Sequence, residues 1–484
     1  MVEQFTKQYI NGTWKIGSSS KTIDNYNPYT GEKIFTIQSA NKEDLDEAFQ
    51  AASEAQPKWA NMTVAEKQGY FQKLIDVMLA EKDTIIDWLN KESGGAYLKS
   101  MIEFDSALGI VKESMSFPTR IHGTILPSIF PNKENRIYRI PKGVIGVIGP
   151  WNFPFHLTMR SVAPALATGN SVVIKPASDT PVTSGLIFGM LFEKAGFPKG
   201  LVNVLVGRGS EIGDEFVVHP IPKLISFTGS TEVGRRIGEN AGRNLKDVAL
   251  ELGGNNVMLV LKDANVERAA KAAVFGKFLH QGQICMALNR IVVDKEIHDE
   301  FVQTFVGLVS QLKYGDPYDK DVFVGPVINK EQVDRIMKDV NESIAQGAKL
   351  IHGGKVDGCL MQPTVLVDVT NDMPIARNEI FGPVAVIIKA EDEAMAMDIA
   401  NDSPYGLSGS IFTEDRHHGV ELAMKIETGM IHINDQPVND EAHVPFGGEK
   451  DSGVGRFNGE WAIEKFTTVK WIGVQSGYRE YPIF

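Results

Sequence analysis

The chain has 484 residues, 43% of them hydrophobic and 23% charged, too long for one core and ample for two or three. With 61 acidic against 49 basic residues its net charge is -12, which argues against a general nucleic-acid surface but not against a locally positive anion site. Two cysteines, Cys285 and Cys359, cannot build a disulfide framework, so a reducing compartment, the cytoplasm by default, is expected.

The opening "MVEQFTKQYINGTW" lacks the apolar segment of a secretion signal, and no run reaches the ~18 apolar residues of a membrane span. Within it Asn11-Gly12 predicts a tight hairpin. Residues 43–117 carry the period of long amphipathic helices. Residues 122–143 break that pattern with three prolines and the short alternation "RIYRI", which predicts an extended β arm. From "VIGVIG" (144–149) onward short apolar runs alternate with helical segments. A helix is expected at about 160–168, strands at "SVVIK", "LVNVLVG" and "KLISFTG", and helices at "VTSGLIFGMLFEKAG", closed by Gly196, and "STEVGRRIGENA". The rhythm resumes after Gly253-Gly254 with "NVMLVL", a helix at 264–279 and "RIVVD", and continues to about residue 433. Such alternation predicts βαβ units, hence an α/β chain of two parallel-sheet halves with a boundary near Gly253-Gly254. No internal repeat is visible.

Five stretches carry chemistry. "VGRGSEIG" (206–213) has the glycines of a dinucleotide turn at the wrong last spacing, and reads better as a plain strand-to-helix turn. "SFTGSTEVG" opens a helix at Gly229-Ser230, whose free N–H groups suit either a phosphate or ordinary N-capping. "GPWNFPFHLT" follows a buried strand, where Asn152 is a candidate oxyanion donor or a turn-stabilising amide. Glu251 ends the apolar run of "ALELGGNN", where burial would raise its pKa into the range of a general base, unless a lysine pairs with it. Cys285, in "HQGQICMALNR", reads by itself as an inert core cysteine more readily than as a nucleophile, although a lowered pKa would make it one. The chain has no G-x-S-x-G, H-E-x-x-H or C-x-x-C, so neither a serine elbow nor a metal site is expected.

Together "PWNFP", "KPASDTP", "FTGSTEVG", "LELGG", "GQIC", "EIFGP" and "PFGGEKDSGVGR" resemble, in order and spacing, the NAD(P)-dependent aldehyde dehydrogenase superfamily from "YINGTW" to "FTTVKWIGV". The resemblance implies a Rossmann-like cofactor domain (1–120 and 142–252), a catalytic domain (253–455), and an oligomerisation arm with its C-terminal strand (121–141 and 456–484) serving a homodimer or homotetramer. It implies that Cys285 is the nucleophile, Glu251 the general base and Asn152 an oxyanion donor beside the Cys285 N–H. It also implies cofactor contacts from Pro150, Trp151, Lys175, Ser178, Gly229, Ser230, Glu379 and Phe381. The implied reaction passes hydride from a cysteine adduct to the nicotinamide and leaves a thioester for water to cleave. Glu251 favours release of a free acid over transfer to coenzyme A. Many NAD-specific members carry glutamate where this chain has Ser178, so NADP is expected to be used as well as NAD, with Asp179 able to restore some repulsion. "HQGQICM", "NDQPVNDE" and "GRFNGEWAIEKFTT" are most similar to the branch acting on benzaldehyde and vanillin, with Phe153, His156, Arg160, Ile284, Met286 and Phe446 expected to line the substrate tunnel. Alternatives are aliphatic aldehydes or semialdehydes, and a cofactor-independent cysteine acyl transferase, which would leave Lys175 without a task. A non-catalytic binding protein on this fold would be expected to lose the Cys, Glu or Asn.

Overall fold

The computed structural model describes residues 3–483. Asn11 and Gly12 both take left-handed backbone (φ 51° and 70°) and join strands Gln8–Ile10 and Thr13–Lys15. Both angles are those of the two-residue turn that matches the strands' twist. Four helices follow, Lys42–Ala60, Val64–Ala80, Lys82–Ser93 and Tyr97–Arg120. The first two start on capping boxes, Asn41 with Asp44 and Thr63 with Glu66.

The first sheet has eight strands, ordered Thr13–Lys15, Gln8–Ile10, Val202–Val204, Ser171–Lys175, Val144–Ile148, Leu224–Thr228, Asp247–Glu251 and Gly453–Val454. Its five inner strands run parallel. Val144–Ile148 is the switch point, with later strands added on either side of it. The carboxyl ends of these strands are therefore the place for a ligand, and they carry Lys175, Thr228, Glu251 and the segment that follows Ile148. Val144–Ile148, Ser171–Lys175 and Leu224–Thr228 are buried throughout, as continuous apolar runs covered on both faces require.

The second sheet has seven strands, ordered Lys349–His352, Thr364–Val367, Val384–Ala390, Leu288–Asp294, Asn256–Val260, Gly409–Phe412 and His432–Ile433. All but the first run parallel. The residues read as an arm form strands Thr124–Pro127 and Lys133–Pro141, and the latter pairs along its whole length with Thr467–Gln475.

Two elements differ from expectation. The helix placed at about 160–168 spans Pro154–Ala167. Pro154 sits at its first position, where its missing N–H costs nothing, and so marks the helix start. The helix expected from "VTSGLIFGMLFEKAG" is wound as one π-turn over Val182–Leu186 before Ile187–Lys194. Gly196 then ends it with a left-handed φ of 74°.

Candidate active site

Glu251 ends the strand Asp247–Glu251, paired with Thr228 on one side and Gly453 on the other. The chain then crosses to the second sheet through Gly253-Gly254. A side chain at 254 would put its Cβ 2.3 Å from the Cys285 carbonyl oxygen, so only glycine lets this crossing pass the cysteine loop. That loop is itself wound unusually. His280, Gln281 and Gly282 all have left-handed φ (50°, 58° and 71°), and a turn closed by the Ala287 N–H on the Ile284 carbonyl (2.8 Å) presents Cys285. Asn256 clamps the turn. Its Nδ2 donates to the carbonyls of Cys285 (2.7 Å) and Ala287 (2.8 Å), while its Oδ1 accepts from the Ser408 N–H (2.9 Å). The Cys285 N–H makes no hydrogen bond among the described residues.

Asn152 lies between the strand Val144–Ile148 and the helix Pro154–Ala167. Its Nδ2 donates one hydrogen to the Gln283 carbonyl (3.0 Å), two residues before the cysteine. The second amide hydrogen is left for another acceptor. The helix start is anchored from a distance: Glu103 accepts from the N–H groups of Phe155 (2.8 Å) and His156 (3.2 Å), and Lys99 neutralises it at 2.5 Å. Both members of that pair are fully buried.

Burial pushes the Glu251 carboxyl up to about 8. Neither of its oxygens has a hydrogen-bond partner, and the nearby Cys285 thiol stabilises it only weakly. Burial, and then the charge of Glu251, pushes the Cys285 thiol well above the usual range, with Arg160 pulling it back. Cys285, Asn152 and the unpaired Glu251 thus meet at the carboxyl edge of the first sheet.

Along the same edge lie the groups expected to meet a cofactor. Lys175 is buried, its pKa drawn down to about 8 by desolvation. Its Nζ donates to the carbonyls of Pro176 (3.1 Å) and Gly207 (3.2 Å) and has no carboxylate partner. Gly207 belongs to "VGRGSEIG", which is a turn ending in a short π-helix, Gly209–Gly213. The Gly229 N–H donates to the Glu251 carbonyl (3.0 Å), and Ser230 caps the helix Thr231–Arg243. Glu379 accepts from the Gly254 N–H (2.9 Å), and burial raises its carboxyl to about 7. Trp151 meets Phe381 edge to face at 5.3 Å, with Pro150 buried beside it. Ser178 is half-buried, and the Asp179 carboxylate accepts from Asn329 Nδ2 at 3.2 Å.

Residues 14–472 match the sequence profile of the aldehyde dehydrogenase family. The chain belongs to that family. It is 51% identical to the vanillin dehydrogenase of Corynebacterium glutamicum, over 97% of this chain and 98% of that one. The crystal structure of an NAD-dependent benzaldehyde dehydrogenase from Corynebacterium glutamicum superposes with a TM-score of 0.90 at 48% identity, covering 98% of this chain and 97% of that one. That of an NADP-dependent enzyme of E. coli superposes with a TM-score of 0.95 at 32% identity, covering 97% and 98%. The fold is the aldehyde dehydrogenase fold.

In this aldehyde dehydrogenase a cavity of about 310 Å³ has Cys285 and Asn152 in its wall. Phe153, His156, Ile284, Met286 and Phe446 line it as expected. Arg160 does not. Its side chain is fully buried behind Phe446, with the guanidinium 4.1 Å from that ring's centroid and 4.8 Å from that of Phe457. One turn beyond His156, its Nη1 reaches Asp440 Oδ2 (3.2 Å), and it is Asp440, not Arg160, that stands in the cavity wall. Ten wall residues went unread, among them Phe275, Leu279, Gln436 and Val438. Phe275 sits on the helix Val266–Phe278 and Leu279 just past its end, Gln436 and Val438 lie in "NDQPVNDE", and only the tertiary fold brings them together. Asn256 was also missed, although it stands in "ELGGNN". A polar residue opening an otherwise apolar strand was the available signal.

Proposed function

We propose that this aldehyde dehydrogenase oxidises a small aromatic aldehyde, of the benzaldehyde or vanillin kind, to the carboxylic acid with NAD or NADP. The observation that carries this reading is the convergence of Cys285 and Asn152 on one cavity wall, with unpaired Glu251 buried beside them. A volume of about 310 Å³, walled by Phe153, Ile284, Met286 and Phe446, suits a single ring and lies at the small end of ligand pockets. The names of the similar proteins point to the same substrate class.

The chain's groups divide the work. Cys285, once deprotonated, attacks the aldehyde carbon. The free amide hydrogen of Asn152 and the unengaged Cys285 N–H receive the oxyanion, each such donor being worth roughly 3 kcal/mol. Bound NAD(P) supplies the hydride acceptor. Glu251 in its ionised form then takes a proton from the water that cleaves the Cys285 thioester.

The residues at the sheet edge fit that cofactor. Lys175 is a buried ammonium with hydrogen to spare and no anion beside it, which suits ribose hydroxyls. Gly229 and Ser230 would face the pyrophosphate and Glu379 the nicotinamide-side ribose. Pro150, Trp151 and Phe381 would supply apolar surface, and neutral Ser178 would admit a 2′-phosphate. Residues 1–120 with 142–252 would hold the cofactor, residues 253–455 would carry the nucleophile, and residues 121–141 with 456–484 would join subunits. Exposed Ile125, Val469 and Trp471 on the arm support a homodimer or homotetramer. Two free cysteines support a cytoplasmic setting. Among the described residues no helix is long and apolar enough to cross a membrane.

The test is reduced-nicotinamide formation with benzaldehyde, vanillin and a medium-chain aliphatic aldehyde, each with NAD and with NADP. A higher kcat/KM for the two aromatic aldehydes is expected. Preference for the aliphatic one would overturn the substrate assignment and keep the mechanism.

A further inference from the structure

Arg160 is the largest charged side chain with no exposed surface among the described residues, and it is incompletely bonded. A guanidinium carries five donor hydrogens. Here Nη1 reaches Asp440, while Nε and Nη2 are buried with no partner. Two aromatic rings flank the group, Phe446 and Phe457, and these are bridged to each other by backbone hydrogen bonds (Phe446 N–H to Phe457 oxygen, 3.2 Å; Phe457 N–H to Phe446 oxygen, 2.8 Å). Phe446 shares the cavity wall with Cys285. Phe457 lies three residues past the strand Gly453–Val454, which pairs with Leu250 and Glu251. Arg160 is thus wedged between the cysteine's cavity and the strand that presents the base.

A buried charge with unpaired donors is costly, and a simple structural strut would be better satisfied by more acceptors. The arrangement makes sense if the compensating anions form only during turnover. We propose that Arg160 is a positioning residue whose buried positive charge favours the ionised forms of Cys285 and Glu251 through the low-dielectric interior, without touching substrate. This rests on the roles proposed above for those two residues.

The other charges facing the pair do not replace it. Asp440 is the anion nearest Arg160, but His156 Nε2 (2.8 Å) and Asn458 Nδ2 (2.7 Å) share it, so it neutralises Arg160 only in part. Arg456 also bears on Glu251, yet its guanidinium is spent on Glu449 and on the carbonyls of Gly448 and Gly455. Glu379 and Glu251 both oppose a thiolate at Cys285. Among the charged groups acting on Cys285, Arg160 is the one that favours its ionisation, and it is the foremost of those favouring ionised Glu251.

The experiment compares full-length wild type with Arg160→Met, Arg160→Lys and the charge-balanced Arg160→Met/Asp440→Asn. The first readout is the pH dependence of iodoacetamide alkylation at Cys285, followed by peptide mass spectrometry, which needs neither aldehyde nor turnover. Cys359, half-buried and elsewhere in the fold, is the internal control. In Arg160→Met the Cys285 alkylation rate near pH 8 should fall about tenfold or more, as expected for loss of a nearby opposite charge. Arg160→Lys should recover most of it, and the double variant, which removes a cation and an anion together, should lie between. The acid limb of acyl-enzyme release should move to higher pH in the same order. Superimposable alkylation profiles in wild type and Arg160→Met, or an equal fall at Cys359, would overturn the proposal. Should Arg160→Met fail to fold, the double variant decides: an alkylation profile matching wild type or lying beyond the Lys variant in the favourable direction refutes it. Because alkylation is read without substrate, a wrong aldehyde assignment would leave this test intact.

Discussion

Replacing Glu251 by glutamine should make the protein more stable at alkaline pH while slowing acyl release. Burial raises the Glu251 carboxyl from 4.5 to about 8, and neither oxygen has a partner to offset the loss of water. The folded protein therefore holds a proton that the unfolded chain releases across that interval. Stability contributed by this group is complete below about 4.5, declines as the pH rises, and is gone above about 8. The interval corresponds to about 5 kcal/mol withdrawn from folding. Glutamine has the same shape and no charge, so Glu251→Gln escapes this loss. Unfolding midpoints of the two proteins in urea, measured from about pH 5 to about pH 9, should coincide at the low end and separate steadily, with the variant higher. In the same protein, single-turnover release of acid from the acyl-enzyme should be slow at every pH. In wild type it should rise about tenfold per pH unit up to about 8, because only ionised Glu251 can accept a proton from water. A midpoint difference that stays constant across the range would refute the claim that Glu251 is buried uncharged at neutral pH.

Cys285→Ala should abolish aldehyde oxidation while leaving NAD binding by calorimetry within about twofold, and turnover retained in this variant would remove Cys285 as nucleophile. Asn256→Ala strips three buried hydrogen bonds from the cysteine turn, two of them to carbonyls of the loop itself. It should cost about 3 kcal/mol or more in denaturant unfolding and lower kcat at least about tenfold, and a stable, fully active variant would show that the clamp is dispensable. Ser178→Glu should raise KM for NADP well beyond any change for NAD, since a carboxylate there would meet a 2′-phosphate. Equal effects on both cofactors would show that Ser178 does not face the ribose.

Much of this was legible in the sequence because local chemistry and tertiary structure agree. Asn11-Gly12 forces its hairpin whatever surrounds it, and apolar runs such as "SVVIK" have no stable alternative to a buried parallel strand. The helix start at Pro154 was hidden because its supporting partner, Glu103, is far away in the chain. Catalytic candidates were legible as motifs rather than as single residues: nothing near Cys285 distinguishes it from core filler until Asn152 and Glu251 are brought beside it. Arg160 was expected in the tunnel from the family resemblance, which gives a position along the helix but not its depth. Phe446, which arrives from the distant end of the chain, stands between it and the cavity.

The short strand Gly453–Val454 has a practical consequence for anyone wishing to dissect this protein. It closes the free edge of Asp247–Glu251, and the Ser452 carbonyl takes the Leu252 N–H at 2.9 Å. A fragment cut at the tempting Gly253-Gly254 junction would lose that cover and expose a bare strand edge carrying Glu251. Edges of that kind recruit other chains, so an isolated front half should aggregate unless residues around 453 are supplied in trans. Glu251 is seated by polypeptide from the middle of the chain and from around residue 453, and a circular permutant that rejoins those segments would be the better route to a separable half.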